Sequence, residues 1–458
     1  MRRFIAAGVV LALLGTASPA LAHNDRDGDS RRKPPAIVYE VDESSLPFEA
    51  VPGFEDSDRS WGVLRGAGYR IEVPAEWNGD LVMWAHGFRG TDTRLFFNPE
   101  EVPFREWMLE NGYAWAASTY SKNDYNVGTA VEDTYRLAKF FKHKNDKPDR
   151  TYIAGASMGG HITAASIEQH RSFYDGAMPV CGVLGDYELF DFFLDFNVTA
   201  QQLALGSSQF PVADDYPVTT APTIKAALEL APGTWPVALN PTGAAFKQLV
   251  ENRSGGDRPN FDEAWFFWNS FPEFGSGIPG NFLFDLGVGD GTIADRRGVA
   301  VQNSDVFYDT DLIVGPSNDL EIALNEGVVR VTADKGARRS GDVPSPELKG
   351  KIKVPVVTMH NLGDLFVPFH METEYAATVA ARGNSELVVQ RAIRGVGHCD
   401  FSTTEYETAF GDLVNWVENG VRPAGDDVGD PAAVADAGFG CQFTDQTAGA
   451  HLLATPCA

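Results

Sequence analysis

Strand-like and helix-like segments alternate between Gly68 and Leu184, and the same alternation resumes after Lys351. This constrains the fold more than any other feature of the chain. "GYRIEVP" (Gly68–Pro74) alternates Tyr69, Ile71 and Val73, as a half-buried strand does. "DLVMWAH" (Asp80–His86), "YAWAASTY" (Tyr113–Tyr120), "RTYIAGA" and "GAMPVCGVL" (Gly176–Leu184) are near-continuous apolar runs, which fits strands covered on both faces. Between them, "PFREWMLENG" reads as a helix closing at Gly112. "TAVEDTYRLAKFFKHK" reads as a second helix opening on a Thr129-x-x-Glu132 capping box, and "GGHITAASIEQH" as a third. The late part repeats the grammar: strand "KIKVPVVTMH", helix "HMETEYAATVAARG", strand "ELVVQRAI". The last helix opens on Ser402-x-x-Glu405 and carries Phe410, Leu413, Val414 and Val417 on one face. Strands alternating with helices predict an α/β fold, a doubly wound, mostly parallel sheet with helices on both faces.

The stretch from Tyr187 to Lys349 breaks this rhythm. It is rich in aromatic residues ("YELFDFFLDF", "FDEAWFFWNSF") and in Gly, Pro and Asp turns, with little strand alternation. We expect a large, mainly helical insertion over the sheet, most of whose aromatics form its own core. The organisation anticipated is a core in two parts, 37–186 and 350–423, interrupted by the insertion 187–349 and followed by a tail, 424–458.

At the N-terminus, "MRR", the apolar "FIAAGVVLALLG" and the small-x-small Ala20-Leu21-Ala22 have the form of a signal peptide spanning residues 1–22, cut after Ala22. The apolar run is shorter than the roughly 20 residues a membrane span needs. Residues 23–36 then read as a flexible leader, whose "DRDGD" has too few ligand positions for a calcium loop. Export and no membrane span are therefore expected. A net charge of −26 with no Lys/Arg cluster argues against nucleic acid and anionic membranes as partners.

The four cysteines allow three pairings. Cys441 and Cys457 both lie in the tail, which lacks a long apolar period, so a local staple there is the first expectation. Cys181 and Cys399 are then left to pair with each other or to stay free.

The chemistry centres on "TYIAGASMGGH". Gly155 and Gly159 flank Ser157 where a strand-like segment meets a small-residue helix, the context a nucleophile elbow requires. A serine hydroxyl needs an imidazole to accept its proton. Of nine histidines, His398 in "IRGVGHCDFS" lies in the loop after a late strand. His86, His161 and His360 occupy a turn, a helix and a strand end. The imidazole needs a carboxylate to fix its tautomer, and Asp364 in "MHNLGDLFVP" follows the preceding strand, with Asp186 as runner-up. Asp400 is too near His398 in sequence. Oxyanion donors are expected from the backbone N–H of Met158 and, in "WAHGFRG", of Phe88, with Arg89 second.

Taken together, "HGFRG", "GASMGG", "NLGDLFVP" and "GVGHCD" resemble the serine hydrolases of the α/β-hydrolase superfamily, in order and context, over about Tyr69 to Pro423 apart from the insertion. The resemblance implies the α/β-hydrolase fold, with Ser157, Asp364 and His398 meeting at the carboxyl edge of the sheet and the insertion acting as a cap domain. "GYRIEVPAEWNGDLVMWAHGFRG" with "NGYAWAASTYSKN" is similar to a group of secreted bacterial hydrolases that includes phthalyl-amidase-like proteins. The tannase-like pattern, a Cys before the serine and another after the histidine, is only half present, since Ala156 stands in the first place. The expected activity is hydrolysis of carboxylic esters through an acyl-enzyme, without cofactor or metal. The substrate would be a small-molecule or polymeric ester, apolar or aromatic if the insertion's aromatics reach the site. Amide or peptide cleavage by the same triad and non-catalytic binding on the same fold are the alternatives.

Overall fold

The computed structural model describes residues 37–230, 239–270, 281–294, 298–311, 317–338 and 347–457. The expected signal peptide, the leader and its "DRDGD" lie outside the described residues.

Eight strands form one sheet: β1 (Asp58–Leu64), β2 (Ala67–Val73), β3 (Leu81–Ala85), β4 (Ala114–Ser118), β5 (Thr151–Ala156), β6 (Gly176–Val180), β7 (Val356–Asn361) and β8 (Val388–Ile393). Their spatial order is β1-β2-β4-β3-β5-β6-β7-β8. All pairs from β4 to β8 are parallel, and the antiparallel pairs are β1–β2 and β2–β4. This is the mostly parallel α/β sheet expected from the alternation of strands and helices.

Strand β1 carries no signal read from the sequence above. It forms because Arg65 (φ 52°) and Gly66 (φ 88°) make a two-residue hairpin that lays it against β2. Positive φ at both positions gives the turn the twist that antiparallel neighbours need. Trp61 and Val63 remain exposed on this edge strand, so its apolar residues give no burial pattern to read.

The period of two along β3 divides the core. Leu81, Met83 and Ala85 face one apolar cluster, Val82 and Trp84 the other. The first cluster is completed by α2 (Val127–Lys144), α3 (Met158–Gln169) and α8 (His370–Ala380). The second is completed by α1 (Arg105–Glu110) and α9 (Thr403–Asn419), which presents Phe410, Leu413 and Val414. Ser402 and Glu405 form the expected capping box on α9.

The box expected at Thr129 does not form. Helix α2 starts at Val127 with Asn126 before it, so Thr129 lies inside the first turn. Buried Tyr125 and Val127 draw the chain into helix earlier, and the Asn126 side chain donates to the Asn123 carbonyl instead of capping. Two strands are also shorter than their apolar runs. The strand in "GAMPVCGVL" ends at Val180, and that in "KIKVPVVTMH" begins only after Pro355, which has no N–H to give a ladder.

Between β6 and β7 the described residues form helices α4 (Glu188–Leu205), α5 (Pro241–Ser254), α6 (Phe261–Asn269) and α7 (Asp319–Gly327), with shorter helical turns and irregular chain between them. Their aromatics pack mainly on one another, as Phe196 does on Phe246 and Phe284, and Phe246 on Trp265. Arg253 and Tyr308 both hydrogen-bond the buried Asp195 carboxylate.

Both disulfides are formed. Cys441 pairs with Cys457 and Cys181 with Cys399, and no free cysteine remains. Among the described residues no helix is long and apolar enough to cross a membrane.

Candidate active site

The candidate residues stand at or just after the carboxyl ends of β3, β5, β7 and β8, on one edge of the sheet. Ser157 occupies the turn between β5 and α3 with φ 61° and ψ −124°, a conformation β-branched and bulky residues avoid. It persists because the backbones around it are packed too tightly to relax. A Cβ on Gly155 would lie 2.4 Å from Gly159 O, and one on Gly159 only 2.0 Å from Ala85 O. The two glycines thus let α3 begin directly against the end of β3. The Ser157 N–H donates to Val180 O on β6 (3.0 Å), which anchors the turn from the other side.

Met158 opens α3 at the end of the helix where backbone N–H groups have no partner within the helix. The second expected donor lies on the loop after β3. Gly87 abuts the serine, since a Cβ there would sit 3.1 Å from Ser157 Cβ and 3.6 Å from its Oγ. Next to it, His86 Nδ1 is 2.7 Å from Gly87 O, its ring stacks on Tyr120 (4.1 Å), and the Tyr120 hydroxyl donates to His86 O (3.0 Å). Burial, with Arg89 adding to it, holds His86 well below its ordinary range. The 2.7 Å contact turns the Gly87 carbonyl toward the ring. In a trans peptide the Phe88 N–H then points the opposite way. Phe88 itself is half-buried. The Arg89 side chain pairs with Glu101, which leaves the expectation for its backbone N–H untouched.

Asp364 and His398 come from consecutive strand ends, β7 and β8, and are in contact. His398 Nδ1 lies 2.5 Å from Asp364 Oδ2. The other oxygen of Asp364 accepts the N–H groups of Phe366 and Val367, both at 2.9 Å. Asp364 is fully buried and the His398 side chain 7% exposed. The two loops are tied to each other by backbone, Gly363 N–H donating to Gly395 O (2.9 Å). Asn361 adds to this: its amide donates to Asp400 O, and its carbonyl accepts the Asp400 N–H. On the far side, Cys399 is joined to Cys181, the residue following β6, with its Sγ 3.4 Å from His398 Nε2.

The rival residues have other occupations. Asp186 pairs with His161 (3.1 Å) and accepts the Leu348 N–H; burial raises its carboxyl while His161 opposes the shift. The second ring nitrogen of His161 meets the Tyr125 hydroxyl at 3.0 Å. His360 is enclosed between Glu372 and Val367 O; burial works against its charge, but the hydrogen bond to Glu372 raises it. Asp400 accepts the Leu452 N–H.

The contacts of Asn361 and Tyr120 were not read from the sequence, although both residues lie in quoted segments, because each acts through a partner distant in the chain. Among the described residues two groups bring three metal-ligating atoms within 4.8 Å of one another. In one, Cys181–His398–Cys399, the two sulfurs are already bonded to each other. The other, Asp309–Asp311–Glu321, lies in the insertion.

No protein-family profile matches the chain. Over 428 residues it is 22% identical to o-phthalyl amidase of Xanthobacter agilis, covering 82% of this chain and 91% of that protein. Solved structures superpose loosely. Feruloyl esterase B from Aspergillus oryzae gives a TM-score of 0.43 at 13% identity, over 80% of this chain and 82% of that one. An acylaminoacyl peptidase from Pyrococcus horikoshii gives 0.38 at 10% identity, over 81% of this chain and 43% of that one.

Proposed function

We propose that this chain is a serine hydrolase of the α/β-hydrolase superfamily, an exported enzyme that cleaves carboxylic esters of apolar or aromatic character through an acyl-enzyme. The single observation that carries this reading is the Asp364–His398 contact at 2.5 Å, on the same sheet edge as the strained Ser157. Ser157 Oγ attacks the acyl carbon as His398 Nε2 takes its proton. Asp364 keeps Nδ1 protonated and stabilises the imidazolium that results. The N–H groups of Met158 and Phe88 receive the oxyanion. His398 then protonates the leaving alkoxide, and water, activated by the same ring, releases the acid and restores Ser157.

In this reading residues 187–349 form a cap, and its aromatic wall reaches the site. Phe366 meets the His398 ring edge-on at 5.0 Å, with Phe193 and Phe282 packed on Phe366. Export fits the two disulfides, which persist in oxidising compartments, and the signal-like first 22 residues.

Amide cleavage is the second reading, favoured by the o-phthalyl amidase relative. It uses the same residues, with His398 protonating an amine. The test is labelling of wild type and Ser157→Ala by a fluorophosphonate, with turnover of matched aryl esters and anilides. Labelling and turnover by wild type alone are expected, the variant losing on the order of 10⁴–10⁶ in kcat. Labelling that survives Ser157→Ala puts the nucleophile at another residue and removes the triad; none in wild type removes the triad and leaves a binding protein. Anilide turnover matching ester turnover makes the enzyme an amidase.

A further inference from the structure

We propose that Trp268, on helix α6 of the insertion, is a positioning residue for the acid and the base, its indole N–H joining the two loops that carry them. This rests on the roles given above to Ser157, Asp364 and His398. Trp268 Nε1 lies 2.8 Å from Gly363 O and 2.8 Å from Val396 O. Gly363 immediately precedes Asp364, and Val396 stands two residues before His398. One donor shared between two carbonyls fixes the distance between them, and so the spacing of the acid loop and the base loop.

The neighbouring contacts act in the same direction. Arg258, also from the insertion and 4% exposed, donates through Nε to Leu362 O (2.7 Å), one residue further back on the acid loop. The Trp268 ring stacks on Phe282 (5.9 Å), Phe282 meets Phe366 edge-on (5.1 Å), and Phe366 meets His398 (5.0 Å). Helix α6 therefore reaches the catalytic ring by two routes, one through backbone carbonyls and one through aromatic contact. Trp268 is only 3% exposed, so its indole offers almost no surface to a substrate. Its influence runs through other residues. A displacement of about 1 Å at a reacting group can cost on the order of a hundredfold in rate, so a clamp on both loops has kinetic consequences. The insertion is on this account a structural member of the site as well as its cover.

The test compares wild type with Trp268→Phe, which keeps a ring and removes the donor, and with the 3-benzothienylalanine analogue at the same position, in which sulfur replaces the N–H. Both are expected to lower kcat about tenfold to a hundredfold, with KM changed less than about threefold. The acid limb of the kcat/KM profile should move to lower pH, because a looser Asp364 stabilises the imidazolium less. Fluorophosphonate should still attach at Ser157 in both, more slowly. A donor-free variant with wild-type kcat and pH profile overturns the clamp, as does a loss confined to KM. If Trp268→Phe fails to melt cooperatively, the analogue decides alone. Absence of Ser157 labelling in wild type overturns the triad, and the clamp with it. Labelling with unchanged turnover in the variants overturns the clamp only.

Discussion

Asp364 gives one carboxylate oxygen to His398 and the other to two backbone N–H groups, those of Phe366 and Val367. The division of labour is sharp. One oxygen fixes where the loop runs, the other fixes the imidazole. In Asp364→Asn the amide oxygen can still serve the backbone, while the amide nitrogen faces Nδ1 and forces the wrong tautomer. Activity is expected to fall about 10⁴-fold in kcat, with the thermal midpoint moved by no more than a few degrees. An ester assay beside calorimetry checks both. A loss of less than tenfold would be incompatible with Asp364 as the acid.

Two glycine substitutions of the same size are expected to act with opposite sign. In Gly159→Ala the new methyl would lie 2.0 Å from Ala85 O, a backbone atom that cannot yield. Destabilisation beyond about 4 kcal/mol, or failure to fold, is expected. In Gly411→Ala, within α9, the methyl meets only Trp107 at 3.7 Å, an ordinary contact. Higher helix propensity should then stabilise by about 0.5–1 kcal/mol. Denaturant midpoints of the two variants against wild type measure the contrast, and a destabilised Gly411→Ala would contradict it.

Replacing Cys181 and Cys399 together by alanine opens a link that closes 218 residues of chain. The expected cost is about 2–5 kcal/mol of stability. Because Cys399 follows His398, kcat should fall more than in the Cys441→Ala/Cys457→Ala variant, whose bridge spans 16 residues of the tail. Equal kinetic effects of the two pairs would show that the first bridge has no special relation to the base.

His451 supplies a pH dependence. Burial works against its charge, but hydrogen bonds to Asp400 and Glu405 outweigh this and raise it to about 10. The ordinary value is near 6.5, so the folded state holds a proton that the unfolded chain releases earlier. The resulting stabilisation is complete below about pH 6.5 and is lost progressively as pH rises through about 10. His451→Gln should flatten the decline of the melting temperature over that window, by an amount on the order of a few degrees. Parallel curves for variant and wild type would exclude it.

Much of the architecture is legible because burial writes itself into short segments. Strands β3 to β6 are apolar at nearly every position, and the second capping box lies in four consecutive residues. Strand β1 escaped because its outward residues, Trp61 and Val63, are apolar and exposed. The start of α2 is not legible, because Thr129 and Glu132 match a box that the buried Tyr125 and Val127 override. At the site, Ser157, Asp364 and His398 stand in motifs whose glycines have steric reasons. The contacts of Asn361 with Asp400 and of Trp268 with Gly363 and Val396 leave no comparable trace. They use one side-chain group and a backbone atom, and a backbone atom has no residue type to read.

The strand order has a consequence for the newly made chain. The serine comes from β5, whereas the acid and base follow β7 and β8, on the other side of the long insertion. At ribosomal rates of about 5–20 residues per second, roughly 10–50 s separate the emergence of the nucleophile from that of its base. Throughout that interval the growing polypeptide carries Ser157 without a proton acceptor. On the proposed mechanism it is chemically silent until His398 has been added.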